Sequence, residues 1–275
     1  MLKIQCVGLK MINYKRMEGA DRGKVFEYLS QKRSENALFL FDLKMLYPKN
    51  VDFFLALDDK RNIRGLYLEW FGVSSFPAIH LRAENDEIAD GLINKIRYHK
   101  NFRIVSPRVY SENIEKKFKN YITKDNLYFM TLDLSTFKPP NLSAKFETNK
   151  LSNDHTSKIE KLFEGSTETD KGLEKWVLSS LDKEIFFGGF EGDTLCSIAG
   201  TLFQYEEFAM IGNVFTKKEY RRKGLATAVL SSLLDFLSKK GFKEAQLYVV
   251  ENSPAYKLYK KLGFKEKGEY VRYLL

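Results

Sequence analysis

The chain has 275 residues, of which 44% are hydrophobic, 14% aromatic and 29% charged, and it carries a formal net charge of +9. Domains cluster at about 100 to 150 residues, so two cores are expected, and this apolar content excludes a disordered chain. No apolar run approaches the ~18 residues that span a bilayer, and the first 16 residues lack a signal-peptide pattern, so the chain reads as cytoplasmic with no membrane segment.

The first half opens its readable pattern with strands at 52–57 and 63–70, then a strand at 77–82, a helical pattern at 88–98, a strand at 102–105 and a helix near 112–121. Residues 136–150 then break the periodicity, with Pro139 and Pro140 following a strand and polar residues dominating. The domain boundary is placed there, giving 1–140 and 141–275.

The second half continues with helices at 151–163 and 172–181 and strands at 185–190, 196–204 and 208–216. From 225 to 240 the residues Leu225, Ala226, Val229, Leu230, Leu233, Leu234 and Leu237 form one apolar stripe, as a core-facing helix requires. A strand at 246–250 follows, then a short helix opened by Asn252, Ser253 and Pro254 and stopped by Gly263, and finally extended chain to Leu275. Strands at 52–57 and 63–70 resemble those at 185–190 and 196–203 in order and spacing, so the halves read as a divergent duplication.

The chemistry concentrates between 214 and 227, where a strand runs through a basic turn into a helix start. Exposed N–H groups and the positive end of the helix dipole favour an anion there, and Gly224 lets the backbone approach it. Lys217, Lys218, Arg221, Arg222 and Lys223 add charge suited to a ligand with several phosphates. A solvated basic turn is the plainer reading, but cations normally avoid a helix N-terminus, so their placement argues for a bound anion. The two cysteines, Cys6 and Cys196, and the three histidines, His80, His99 and His155, are scattered, giving neither a disulfide framework nor a metal-ligand spacing, so no metal is expected.

This segment resembles the acyl-CoA signature of the GNAT superfamily of N-acetyltransferases, Gln/Arg-x-x-Gly-x-Gly/Ala, with Arg221, Gly224 and Ala226 at the fixed positions. A second stretch, with Asn252, Ala255, Leu258, Tyr259, Gly263 and Phe264 in register, resembles the family helix in which Asn contacts the pantetheine arm and Tyr faces the thioester sulfur. The resemblance implies an α/β fold of two tandem GNAT-like domains, each a mostly antiparallel splayed sheet flanked by helices. It implies acetyl-CoA as co-substrate and a primary amine as acceptor, with Tyr259 protonating the departing thiolate. Val214, Phe215 and Thr216 would offer backbone groups to the acetyl carbonyl and pantetheine. Arg221 belongs to the signature, and Arg222, Lys223, Gly224, Leu225, Ala226 and Thr227 would hold the pyrophosphate. Without the family, Asn252 reads as a helix cap and Tyr259 as a core aromatic.

Two departures qualify the pattern. The strand at 208–213 carries no carboxylate to deprotonate an amine, so the base stays open among Glu206, Glu207, Glu251 and water. Cys196 in a strand reads as a small buried hydrophobe rather than an acyl carrier. In the first half the corresponding turn, 81–88, is acidic and lacks a phosphate-facing glycine, as in a degenerate copy. The rival readings are a catalytically silent acyl-CoA sensor or adaptor, and a basic nucleic-acid-binding protein, although no nucleic-acid module is legible.

Overall fold

The computed structural model describes residues 11–71, 77–97, 101–140 and 146–275. Cys6, Tyr98 at the end of the expected 88–98 helix, His99, and residues 141–145 of the boundary segment lie outside the described residues. The chain folds into two compact units, Met1–Leu127 with Gly268–Leu275, and Tyr128–Lys267. A division at 140 assigns both 128–140 and 268–275 the other way, because it follows sequence order whereas these segments are placed by strand pairing.

The first unit contains β1 (Asn13–Arg16), α1 (Arg22–Ser30), α2 (Ala37–Phe41) with a following π-helical turn (Asp42–Leu46), β2 (Val51–Leu57), β3 (Ile63–Trp70), β4 (Ala78–Ala83), α3 (Asp86–Lys95), β5 (Arg103–Pro107), α4 (Ser111–Lys117) and the start of β6 (Thr123–Asp133). Strands β1 to β5 lie in sequence order, antiparallel except for β4 and β5, which are parallel and joined through α3. The end of β12 (Lys265–Leu274) completes the unit, pairing antiparallel with β5 from Tyr270 to Leu274 and burying Val271 and Tyr273 fully. The polar strand β1 and helices α1 and α2 left no readable period in the sequence.

The second unit contains the end of β6, β7 (Glu147–Lys150), α5 (Thr156–Phe163), α6 (Glu168–Ser180), β8 (Phe186–Glu191), β9 (Thr194–Tyr205), β10 (Phe208–Thr216), α7 (Leu225–Lys239), β11 (Glu244–Val250) and α8 (Pro254–Lys261). The strand order is β6-β11-β10-β9-β8-β7, with β10 and β11 parallel and β7 to β10 antiparallel. Strand β7 falls inside the segment expected to be a linker. Its sequence, Glu147-Thr148-Asn149-Lys150, is that of a short polar edge strand, which resists further pairing and carries no alternation to read.

The leucine stripe of α7 is buried against the sheet as expected, with Leu225, Val229, Leu230, Leu233, Leu234 and Leu237 in one core with β9, β10 and β11. Gly189 on β8 sets how close that helix comes. A Cβ there would lie 2.6 Å from both Leu225 and Val229, so any larger residue would lift the first turn of α7 off the sheet.

In the first unit, Asp42 at the start of the π-helical turn is only 4% exposed. Burial alone pushes its carboxyl up to about 8. The folded state therefore holds this proton more tightly than the unfolded chain, whose aspartates titrate near 4, so stability is full below about pH 4 and is lost as pH rises toward 8. Asp42→Asn, neutral throughout, is expected to flatten that decline and to gain about 2 to 4 kcal/mol near pH 7. Urea unfolding of both proteins at about pH 5 and pH 8 checks this, since the expected gain grows with pH.

Candidate functional site

The site begins with a pairing that stops. Strands β10 and β11 run parallel over Phe208–Met210 against Glu244–Gln246 and no further. Beyond that point β10 is irregular: its register with β9 shifts between Met210 and Ile211 and again between Gly212 and Phe215. Two residues, Asn213 and Val214, there oppose one on β9, a β-bulge, and Asn213 takes a left-handed φ of 53°. The bulge bends β10 away from β11, so the two strands diverge toward Thr216 and Val250. An asparagine after a glycine in an otherwise apolar strand was the sequence signal for this bend, because asparagine tolerates positive φ better than most residues.

Peptide groups alternate sides along a strand. Lys217 donates its N–H to Cys196 O at 3.0 Å, so residues 217 and 215 face β9 while Thr216 turns its peptide groups to the open side. Phe215 was expected to offer backbone groups to a ligand. Its carbonyl instead accepts from Ser197 Oγ at 2.9 Å, and its ring packs on Phe163, centroids 4.6 Å apart. Ser197, fully buried, also bonds Thr216 Oγ1 at 2.7 Å and so braces the strand end. Nothing in the sequence pattern marked Ser197.

The loop then turns through a short 3-10 helix, Lys218–Tyr220, into α7. Arg221 Nε donates to Thr216 O at 2.8 Å, so this arginine ties the loop back to the strand end. Arg222 adopts φ 64° and Gly224 φ 89°, left-handed positions that bring successive N–H groups inward as in anion-binding backbone nests. Helix α7 has no side-chain cap and no acid in its first turn. Its first internal bond in the turn runs from Ala228 N to Gly224 O, 3.1 Å, which leaves the N–H groups of Leu225, Ala226 and Thr227 ahead of it. A Cβ on Gly224 would meet nothing within 4 Å, so the glycine is required by its φ and by the open approach, not by packing. Of the side chains, Lys217 pairs with Glu219 at 3.4 Å and Lys223 lies 5.0 Å over the Tyr220 ring, while Lys218 and Arg222 make no ion pair among the described residues.

Across the divergence, Asn252 follows β11 at φ 59° and is exposed. The plain expectation that it caps α8 is corrected: Ser253 is the cap, its Oγ accepting from Tyr256 N at 3.2 Å, and the Asn252 amide is left to face outward. Tyr259 lies on the buried face of α8, 6% exposed and edge-on to Phe264 at 5.6 Å. Burial pushes its hydroxyl well above the usual phenol range, and the group makes no hydrogen bond among the described residues.

The three carboxylates considered as bases separate cleanly. Glu206 and Glu207 form the turn before β10, a strand length of roughly 26 Å from Thr216. Glu251 follows β11 at the divergent end, where Tyr128 Oη donates to it at 3.0 Å. Cys196 is buried, donates to Thr194 O at 3.2 Å and has its thiol pushed up by that burial, the behaviour of a structural cysteine. His80 is half-buried on β4, and desolvation, with the Arg82 charge beside it, keeps its imidazole neutral by lowering its pKa to about 3.

A bulged strand that leaves its parallel neighbour, followed by an uncapped glycine-started helix, is a combination that can be compared with known proteins. Residues 151–264 match the acetyltransferase (GNAT) family. The chain carries a GNAT domain. A curated relative, an uncharacterized N-acetyltransferase of Methanocaldococcus jannaschii, is 37% identical over 62 residues, which span 22% of this chain and 27% of that relative. The chain thus aligns with about a quarter of the length of the relative it matches. Among solved structures, a GCN5-related N-acetyltransferase from Sphaerobacter thermophilus superposes with a TM-score of 0.66 at 12% identity, covering 96% of this chain and 95% of that one. A tandem GNAT protein from the clavulanic acid biosynthesis pathway gives 0.64 at 10% identity, covering 96% and 98%. At those identities the likeness is one of fold, and it places both units of this chain among GNAT folds, tandem arrangements included. The match of 151–264 includes the loop and the Asn252–Tyr259 stretch within the GNAT domain.

Proposed function

We propose that the GNAT domain transfers an acetyl group from acetyl-CoA directly to a primary amine. The observation that carries this reading is the start of α7: three forward-facing N–H groups, no capping side chain, no acid, and left-handed turns at Arg222 and Gly224. Such a terminus is costly to leave without an acceptor, and a pyrophosphate answers all its donors at once. The residues that would hold it are Arg222, Lys223, Gly224, Leu225, Ala226 and Thr227, with Arg221 setting the loop. Val214 and Thr216 would meet the acyl and pantetheine amides along the open edge of β10, and Asn252 would meet them from the other side.

For the transfer itself, the attacking amine must lose a proton and the departing thiolate must gain one. Glu251, which accepts a hydrogen bond from Tyr128, would accept the first through water. Tyr259 is the donor for the second, since a neutral buried phenol without a partner can give a hydrogen bond to developing charge on sulfur. The first unit serves this reading as a copy without a coenzyme. There α3 is capped by its own Asn85, whose Oδ1 accepts from Ile88 N at 3.0 Å, with Asp86 and Glu87 behind it. Tyr110 Oη, donating to Ala83 O at 2.8 Å, ties down the end of β4 where a coenzyme would lie.

Acetyl-CoA is expected to raise the melting temperature of the full chain, because a ligand held only by the folded state stabilises it. Gly224→Glu should abolish that shift while losing only about 1 to 2 kcal/mol of its own stability to the strained φ. Normal coenzyme binding by this variant removes the loop assignment. Tyr259→Phe keeps the ring and its packing, so coenzyme affinity should stay within a few fold while kcat falls roughly 10²-fold, followed by thiol release with any amine that turns over. Thermal stabilisation without thiol release from any amine tested would favour the silent-sensor reading. Glu251→Gln is expected to lower kcat roughly 10²-fold with coenzyme affinity within a few fold, and an unaltered kcat returns the base to water.

A further inference from the structure

The first unit holds a cavity of about 340 Å³ that the acyl-transfer reading does not use. Its size falls at the small end of the range for sites that take metabolites. One wall is a cross-strand pair, Phe54 on β2 and Tyr67 on β3, with rings stacked 5.3 Å apart and nearly parallel at 5°. Phe71, just past the end of β3, also lines the cavity and is 45% exposed, which adds an open aromatic surface.

The acids of the cavity are already answered. Asp52 and Glu69 stand opposite one another two residues along the same strands, where like charges are destabilising unless cations or donors attend them. Arg16 on β1 pairs with Asp52, and Glu69 is engaged in its own right.

Three donors are not answered. Lys95 and Arg97, at the C-terminal end of α3, line the cavity, are exposed, and make no ion pair among the described residues. Cations at such an end ordinarily serve the helix carbonyls. Here that task is done by Lys117, whose Nζ donates to both Ile93 O and Ile96 O at 2.7 Å. The third donor is the hydroxyl of Tyr67, a residue only 5% exposed, which makes no hydrogen bond among the described residues. A desolvated hydroxyl left so is costly. Burial first, and then the Glu69 charge, push it above the usual phenol range, while the Arg97 charge acts on it in the opposite sense, so hydroxyl and guanidinium are near enough to feel one another.

We propose that this cavity binds a small aromatic carboxylic acid in its anionic form. The carboxylate lies among Lys95, Arg97 and the Tyr67 hydroxyl, and the ring lies against Phe54 and Phe71. An inorganic anion would leave the aromatic surface in water, and an aromatic amine would bring a positive charge to two cations and no acceptor to the hydroxyl. The inference concerns the first unit alone and does not depend on acyl transfer by the second.

The test uses the full chain and three probes: 3-phenylpropionate, its uncharged analogue 3-phenylpropionamide, and acetate, which keeps the charge without the ring. Calorimetry is expected to give 3-phenylpropionate a Kd at or below about 1 mM, with the amide and acetate each at least about tenfold weaker. The double variant Lys95→Gln with Arg97→Gln, at two exposed positions, should bring 3-phenylpropionate level with the amide. Unfolding midpoints confirm that the variant is folded, and if it is not, Arg97→Gln alone decides by weakening 3-phenylpropionate at least about threefold. No binding of 3-phenylpropionate at about 10 mM overturns the proposal. So does an amide or acetate that binds as tightly as the aromatic acid, or a preference for the acid that survives the double variant, which would place the anion on another basic surface.

Discussion

The second unit of this protein is shaped by one failure of β-pairing. A parallel pair is ordinarily evenly bonded along its length, and β10 could have followed β11 to its end. The bulge at Asn213 and Val214 prevents it, and the pairing ends at Met210 and Gln246. From that interruption follows a length of β10, from Ile211 to Thr216, whose edge toward β11 is left without a strand partner.

What keeps the opening from collapsing is bracing on the far side of β10. Ser197 holds Phe215 and Thr216, Lys217 is bonded to Cys196, and Arg221 returns to Thr216, so the divergent strand end is fixed without β11. Close packing does the rest, because Gly189 admits Leu225 and Val229 against the sheet and thereby seats the first turn of α7. The strand end and the start of α7 are thus positioned by a serine, a glycine and a main-chain bond that have no chemistry of their own. The first unit shows the same three-pair parallel contact, between Ala78–His80 and Arg103–Val105, but its helix start is satisfied by Asn85 and its strand end by Tyr110. The same local architecture therefore has an uncapped helix start in one unit and a start capped by the chain's own side chain in the other.

The sequence made legible whatever is periodic or locally forced. Strands β3 and β10 have the expected bounds, and α7 shows in its leucine stripe and in its ending at Lys239 and Lys240. The basic turn before Gly224 was readable because cations at a helix start contradict the helix dipole and so need a reason. Elements without period were silent. Strand β7 is four polar residues, β1 is Asn13-Tyr14-Lys15-Arg16, and α2 is five apolar residues in a row, which no face distinguishes.

By itself the sequence determined the mixed α/β class, the glycine-started turn into α7 and the short helix that follows Asn252 and carries Tyr259, because each rests on residues a few positions apart whose geometry the backbone fixes locally. Tertiary structure alone decided that Ser253 rather than Asn252 caps α8, that Phe215 turns its peptide groups to β9, and that Glu251 stands near the opening while Glu206 and Glu207 do not. It also decided that residues 268–275 complete the first unit. Each of these depends on which distant segment supplies a hydrogen-bond partner, and a strand's sequence states that it needs a neighbour without stating which one.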